Sequence, residues 1–508
     1  MSKFLTTISV ALLLFSWSAT AALPKTRTQQ TVNSIASKEP MRSSALGVFA
    51  INLKGDTLAV CNIRQKLVPA SNVKLITTGL ALKNLGPDFR FETTLAYTGQ
   101  IKDSTLVGDL YIVGGGDPTT GSVSESAEKI AVTFGKWESI LRKAGINRIE
   151  GRIVADPRYF DDQTAENLSW SYDDIGTYYG AGPTGLNFFE NAQTFYVTPG
   201  AAVGAKPYVR PRYPDTPWMD ITVSATTSKA RTSNDLYYVT SDFTPTGEVR
   251  GKFPIDRRGY TLECSNRYGA YTCAAYFYKY LVSKKINVTN GYADIDRYGH
   301  IRSFSVTQGI PVSAVPLKKL TRIGVTTSPK LSDIVSDTNH ASDNFYAETL
   351  LHMLGKKYCN SAIYDSCRVA VDNLLADMGL STANSCQIYD GSGLGRKSYV
   401  SPEFFVSFLR KMARTKVFEP YLASLPQPGS KGTLEMILRE SPDSMKGRIH
   451  AKTGSMNGVR CVSGYIEASD GNPEKMIVFS LLMNNFTAST PVMTRIVEDI
   501  LASLASEN

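Results

Sequence analysis

The chain is poor in histidine and cysteine, shows no clustering of basic charge, and carries almost no long apolar run; each shortage removes a class of function. Its four histidines, at 300, 340, 352 and 450, are far apart, and no Cys/His group has zinc-type spacing, so neither a metal nor a cofactor is assigned. Basic residues exceed acidic ones by 55 to 46, a net charge of +9, but they are scattered along the chain, a pattern that does not indicate nucleic acid. The exception among apolar runs is "FLTTISVALLLFSWSATA", which follows Lys3 and ends in Ala19-Thr20-Ala21. This is the pattern of a secretory signal peptide over residues 1–21, and it predicts an exported protein of the periplasm or cell envelope. No later run approaches the roughly 20 residues of a membrane span. The seven cysteines (61, 264, 273, 359, 367, 386 and 461) are an odd number, so at least one stays unpaired. Cys264 with Cys273, and Cys359 with Cys367, are close enough to pair locally, although spacing does not fix connectivity. The first cysteine lies far beyond residue 21, which disfavours a lipid-anchored lipoprotein. There is no internal repeat and no low-complexity segment.

At 508 residues the chain is expected to form roughly two to four domains. "ALGVFAINLKGDTLAVCNI" has two apolar, β-prone runs around Gly55-Asp56 and predicts a hairpin. Near the other end, "GRIHAKTGSMNGVRCVSGYIEA" predicts strand, Asn457-Gly458 turn and strand, "KMIVFSLLMNN" a third strand, and "PVMTRIVEDILASLAS" a helix. Strands from both chain ends, flanked by helices, point to one antiparallel sheet built from residues 22–88 and 300–508. The middle is then an insertion: a mixed α/β part over 89–168 and 252–299, with a nested β-rich part over 169–251. The fold class is α/β, multidomain.

Three short motifs carry the chemistry. In "PASNVKLITTGLALKNLG", Ser71 and Lys74 stand three apart at the start of an apolar, helix-like stretch, so the hydroxyl and the amine share one face. A lysine desolvated among apolar neighbours loses basicity and can take the serine proton, turning a poor nucleophile into a good one. The spacing alone decides nothing, because Ser126 and Lys129 match it inside a polar run. An acyl-transfer site also needs a proton path, a substrate anchor and an oxyanion hole. "HASDNFYAETLLHML" places Ser342, Asp343 and Asn344 at the start of a predicted amphipathic helix. "HAKTGS" places Lys452, Thr453 and Gly454 on a strand, where the backbone of Ser455 can donate to an oxyanion while Lys452 and Thr453 face a carboxylate and Gly454 leaves room.

Ser-x-x-Lys, Ser-Asp-Asn and Lys-Thr-Gly, in that order, are the trio of penicillin-binding proteins and serine β-lactamases. Over its mature length the chain resembles the class C low-molecular-mass penicillin-binding proteins, the D-alanyl-D-alanine carboxypeptidase/endopeptidase family also called penicillin-binding protein 4 or peptidase family S13. The added signs are "LGPDFRFETTL", "GGGDPT", "YGAGPTGLNFFEN", "DGSGLGR" and the long insertion between Ser71 and Ser342; the family often has serine where Gly395 stands. The resemblance implies the β-lactamase/penicillin-binding-protein fold, peptidoglycan stem peptides as substrates and β-lactams as inhibitors. It implies Ser71 as nucleophile and Lys74 as base, with Ser342 relaying a proton to the leaving D-alanine and Asn344 holding the substrate amide and Lys74. Lys452 and Thr453 bind the terminal carboxylate, and the backbone N–H groups of Ser71 and Ser455 form the oxyanion hole. In "WSYDDIGTYYGAG", where Trp170, Tyr172, Asp174 and the following aromatic Tyr179 match the family's pattern, it further implies that Asp174 meets the free amine of diaminopimelate, with Tyr179 counted among the substrate-binding residues. The alternatives are a serine β-lactamase, disfavoured by the insertion, and a non-catalytic cell-wall binding protein, disfavoured by the intact Ser71 and Lys74.

Overall fold

A computed structural model describes residues 23–161, 167–241, 244–304 and 311–507; the predicted signal peptide, 1–21, lies outside them. Five strands, β1 (Ala45–Asn52), β2 (Thr57–Cys61), β3 (Ile449–Met456), β4 (Val459–Ile466) and β5 (Ile477–Asn484), form one sheet in the order β2-β1-β5-β4-β3. Every neighbouring pair is antiparallel. The continuous apolar run of β5 has a structural cause, since it lies mid-sheet and is covered on both faces. Ile477, Phe479, Leu481 and Met483 pack toward helices Arg27–Ala36 and Thr490–Ser506. Val478 and Leu482 pack on the other side, toward helices Val73–Leu85, Asn344–Cys359 and Pro402–Met412. The two ends of the chain thus complete one layered unit, and the candidate motifs sit at the edge strand β3 and the two helix starts facing it.

The insertion carries a seven-stranded sheet whose centre is Tyr292–Ile295, Ile153–Asp156 and Leu110–Val113, with helices Ile130–Lys143 and Gly269–Ser283 packed on an aromatic-rich core. Two boundaries move with the strand pairing. The short strands His300–Arg302, Val312–Ser313 and Thr321–Thr327 belong to this sheet, the last paired along Glu92–Tyr97, so the insertion runs past 299. Tyr260–Ser265 pairs with Ala192–Thr198, so the β-rich part runs past 251. Cys264, Cys273 and Cys359 are free thiols, and neither local cysteine pair forms. The helix Asn344–Cys359 is not amphipathic: every residue from Phe345 to Gly355 is buried. Among the described residues no helix is long and apolar enough to cross a membrane.

Candidate active site

The nucleophile candidate is held by its backbone before its side chain is considered. Asn484, at the end of β5, donates to the carbonyl of Val68 (3.0 Å) and accepts from its N–H (2.7 Å). Asn72 donates to Ser463 on β4 (2.7 Å), which is bonded in turn to Ser480 on β5. Between these anchors the chain turns through Ala70 at φ +46°, a costly conformation for a residue with a Cβ. Ser71 lies in the resulting 3-10 turn, Ala70–Asn72, and Lys74 in the first turn of helix Val73–Leu85. Where this turn runs into the helix, residues three apart share one face, which brings Ser71 Oγ within 3.0 Å of Lys74 Nζ. The edge strand closes on this turn at Gly454: a Cβ there would lie 2.6 Å from the Pro69 carbonyl oxygen and 3.1 Å from the Ser71 nitrogen.

Lys74 is fully buried. Its Nζ lies 2.6 Å from Asn344 Oδ1 and 2.9 Å from the Ser392 carbonyl oxygen, both of which only accept hydrogen bonds. A neutral amine has two N–H donors and one lone pair. The two acceptors take the donors, so the lone pair is left for the one neighbour that can donate, the Ser71 hydroxyl. Burial pushes the Lys74 amine down to about 8, against an opposing pull from the carboxylates of Asp343, Glu348 and Asp390.

A second serine–lysine pair lies alongside. Lys452 Nζ, also fully buried, donates to Ser342 Oγ (2.8 Å) and to the carbonyl of Thr453 (2.9 Å). Burial, and then the charge of Lys74, hold Lys452 well below the usual lysine range. Ser342 has φ +58°, while Asp343 caps the helix by accepting from the Tyr346 N–H (2.8 Å). Asn344 Nδ2 donates to the Tyr179 carbonyl (3.0 Å). The cleft above these groups has a volume of about 680 Å³, and Ser71, Ser342, Asn344, Ser455, Asp174 and Tyr179 all line it. The Asp174 carboxyl accepts from the Ser171 N–H (3.3 Å) and has the Tyr179 hydroxyl within hydrogen-bonding reach. Burial, then Asp173, raises it. The decoy Ser126 lies outside any helix and donates to Asp337 (2.5 Å). Among the described residues no group of three or more His, Cys, Asp and Glu is placed to hold a metal ion.

Residues 28–506 match the D-Ala-D-Ala carboxypeptidase 3 (S13) family. The chain belongs to that family. It is accordingly a serine-type carboxypeptidase/endopeptidase, a hydrolase. The D-alanyl-D-alanine carboxypeptidase of Actinomadura sp. (strain R39) is 26% identical over 95% of this chain and 85% of that protein. The crystal structure of penicillin binding protein 4 from Haemophilus influenzae matches the fold with a TM-score of 0.75, at 21% identity, over 95% of this chain and 99% of that one. The same protein complexed with a β-lactam matches with a TM-score of 0.70, at 20% identity, over 94% and 99%.

Sequence reasoning missed the loop that presents the Ser392 carbonyl to Lys74, although "DGSGLGR" pointed to it. Glu348, buried in helix Asn344–Cys359, accepts from the N–H groups of Gly391 (3.0 Å) and Ser392 (2.8 Å). Asp390 accepts from the N–H groups of Gly393 (3.0 Å) and Gly395 (2.6 Å) and from the Trp170 indole (2.9 Å). The indole bond ties the Asp174 segment to the same loop. Glycine suits position 395 because a Cβ there would lie 2.0 Å from Ser169 Oγ.

Proposed function

We propose that this enzyme removes the terminal D-alanine from peptidoglycan stem peptides, or cuts their cross-links, through an acyl-enzyme on Ser71. The observation that carries the reading is the geometry at Lys74: its buried Nζ lies 3.0 Å from Ser71 Oγ and against two further acceptors, in a setting where burial lowers its basicity. Ser71 attacks the carbonyl of the penultimate D-alanine as Lys74 takes its proton. The N–H groups of Ser71 and Ser455 receive the developing oxyanion, with Gly454 allowing the strand to approach. Ser342, bonded to Lys452, relays the proton that Lys74 has taken to the departing amine, which leaves Lys74 neutral again, and Asn344 fixes Lys74 and the substrate amide. Lys452 and Thr453 hold the terminal carboxylate, whose charge favours the protonated amine that burial disfavours. Water releases the acyl group; a β-lactam acylates the same serine. Removal of residues 1–21 on export would place the enzyme in the periplasm or cell envelope, where this substrate lies. Incubation with purified cross-linked and uncross-linked muropeptides, with products read by mass, tests the reading: loss of one alanine or separation of two stems supports it, and no product from either overturns it.

Two side chains should separate by substrate. Lys452→Ala is expected to weaken turnover of peptides with a free carboxylate and largely spare an uncharged ester, because an anchor contributes mainly to binding. Equal losses on both would remove the anchor role. Asp174→Asn should lower turnover of a diaminopimelate stem peptide about tenfold or more, since a charged hydrogen bond contributes ~1.5 to 3 kcal/mol and each 1.4 kcal/mol is about one decade. It should spare penicillin acylation, which involves no such amine. A matched peptide with the side-chain amine acetylated is the control; if wild type and variant discriminate the two peptides equally, Asp174 is not the amine's partner.

A further inference from the structure

Glu190 belongs to the inserted part of the chain, 119 residues beyond Ser71 in sequence, yet it lines the active-site cleft. It sits in a run of three residues with Cβ atoms and positive φ: Phe189 (+51°), Glu190 (+55°) and Asn191 (+46°). The run is pinned from several directions. Phe189 N–H donates to the Thr120 carbonyl (3.0 Å), and Asn191 Nδ2 donates to the Gly182 carbonyl (3.1 Å) and to Asn187 Oδ1 (3.0 Å). Sparsely populated backbone of this kind persists where the surroundings over-determine it. Here it delivers a carboxyl group to the Ser342-Asp343-Asn344 corner.

The donors around that carboxyl run in one direction. The Tyr346 hydroxyl donates to Ser122 Oγ (2.9 Å), and Ser122 Oγ donates to Glu190 Oε1 (2.6 Å). The Glu190 carboxyl lies within hydrogen-bonding reach of that of Asp343, which lines the same cleft. Two carboxyl groups bond to each other only if one keeps a proton. Burial raises Asp343 as well, but the backbone N–H groups at the helix start and the charge of Lys74 pull it back down, so Asp343 is the better place for the charge. Glu190 has Ser122 as its other donor and faces the negative Asp337.

We propose that Glu190 is a positioning residue for this corner, holding a proton that it donates to Asp343 so that the corner carries one negative charge. The proposal rests on the reading of Ser71 and Lys74 above. Burial, then the charge of Asp343, pushes Glu190 up to about 8. The groups that face it are Asp343 and Tyr346 from the Asn344–Cys359 helix and its cap, Asp337 from helix Leu331–His340, and Tyr178 from the turn Tyr178–Gly180. Glu125, Asp333, His340 and Lys431 line the adjoining cleft; Lys431 is paired with Glu125, and Asp337 accepts from Ser124 and Ser126. Loss of the Glu190 proton sets two charges side by side next to Ser342 and Asn344. It also favours the ammonium form of Lys74, which is the wrong form for a base.

The test is the rate of Ser71 acylation by a fluorescent penicillin from pH 6 to 10, for wild type, Glu190→Gln and Glu190→Ala, with thermal melts. Glutamine mimics the protonated acid, donating through its amide and accepting from Ser122, and does not titrate. The Gln-to-wild-type rate ratio should be near one at pH 7 and rise to about tenfold at pH 9, as expected for one proton lost near pH 8. Any titration of Lys452 is common to both proteins and cancels in the ratio. Glu190→Ala should be about tenfold slower or worse at pH 7. A ratio that stays flat across the range, or a glutamine variant as impaired as the alanine one, overturns the proposal even if the alanine variant fails to fold. Wild type that is not acylated at Ser71 overturns the reading of the site as well.

Discussion

Replacing Lys74 by alanine should slow acylation by a β-lactam by about a thousandfold or more at neutral pH. The loss has two parts. The proposed base disappears, which alone contributes about 10² to 10⁴ in rate. The Asn344 and Ser392 oxygens also lose their buried donor, which costs stability as well as position, about 1 to 3 kcal/mol for each group left unsatisfied. Arginine should not rescue the variant, because a guanidinium stays charged and has no lone pair to offer. The pH dependence follows from the direction of the shift. With the amine at about 8, roughly one molecule in ten has it neutral at pH 7, against about one in three thousand for an unperturbed lysine. Acylation should therefore fall about tenfold per pH unit below 8. Stopped-flow or gel-based labelling at several pH values measures both effects; a loss of less than tenfold in Lys74→Ala, or a rate flat from pH 6 to 8, would exclude Lys74 as the base.

Ser71→Ala should remove hydrolysis of stem peptides and covalent labelling together, a loss of about a thousandfold or more, since acyl transfer without its nucleophile falls to background. The fold should survive with little change in melting temperature: the substitution deletes one hydroxyl at the mouth of a cleft, and the turn is held by Asn72 and Asn484. Ser342→Ala is the informative companion, because Ser342 too is bonded to a buried lysine. It should slow acylation while leaving it measurable, as befits the proton relay proposed for it. If Ser342→Ala abolished labelling and Ser71→Ala did not, the two pairs would have to exchange roles.

Much of this candidate site was legible in the sequence because its residues come in short local motifs. Ser71 and Lys74 are three apart, Ser342 to Asn344 are contiguous, and Lys452 to Ser455 share one strand. The five-stranded sheet was legible as well, since its runs are eight residues long or joined by a Gly-Asp or Asn-Gly turn. What stayed hidden is long-range or atypical. The Ser392 carbonyl reaches Lys74 from 318 residues away. The polar residues Glu348 and Thr349 gave the Asn344–Cys359 helix an amphipathic look, but both are buried: Glu348 holds two backbone N–H groups of the 390–395 loop, and Thr349 bonds to the Phe345 carbonyl. The strands at 300–302 and 312–313 are two or three residues long, too short to show a period, which is why the insertion extends past its expected end. Glu190 lay within a quoted motif, but its neighbour Asp343 is 153 residues distant and nothing in the local pattern joins them.

The central claim is that, of two adjacent serine–lysine pairs, Ser71 with Lys74 forms the acyl-enzyme and Ser342 with Lys452 serves it. Peptide mapping by mass spectrometry of the full-length mature protein, trapped after brief exposure to penicillin, tests this directly. The account predicts a single adduct, on the peptide that contains Ser71, formed in wild type and absent from Ser71→Ala. An adduct on the Ser342 peptide, or one that persists on any serine of the Ser71→Ala variant, would contradict it.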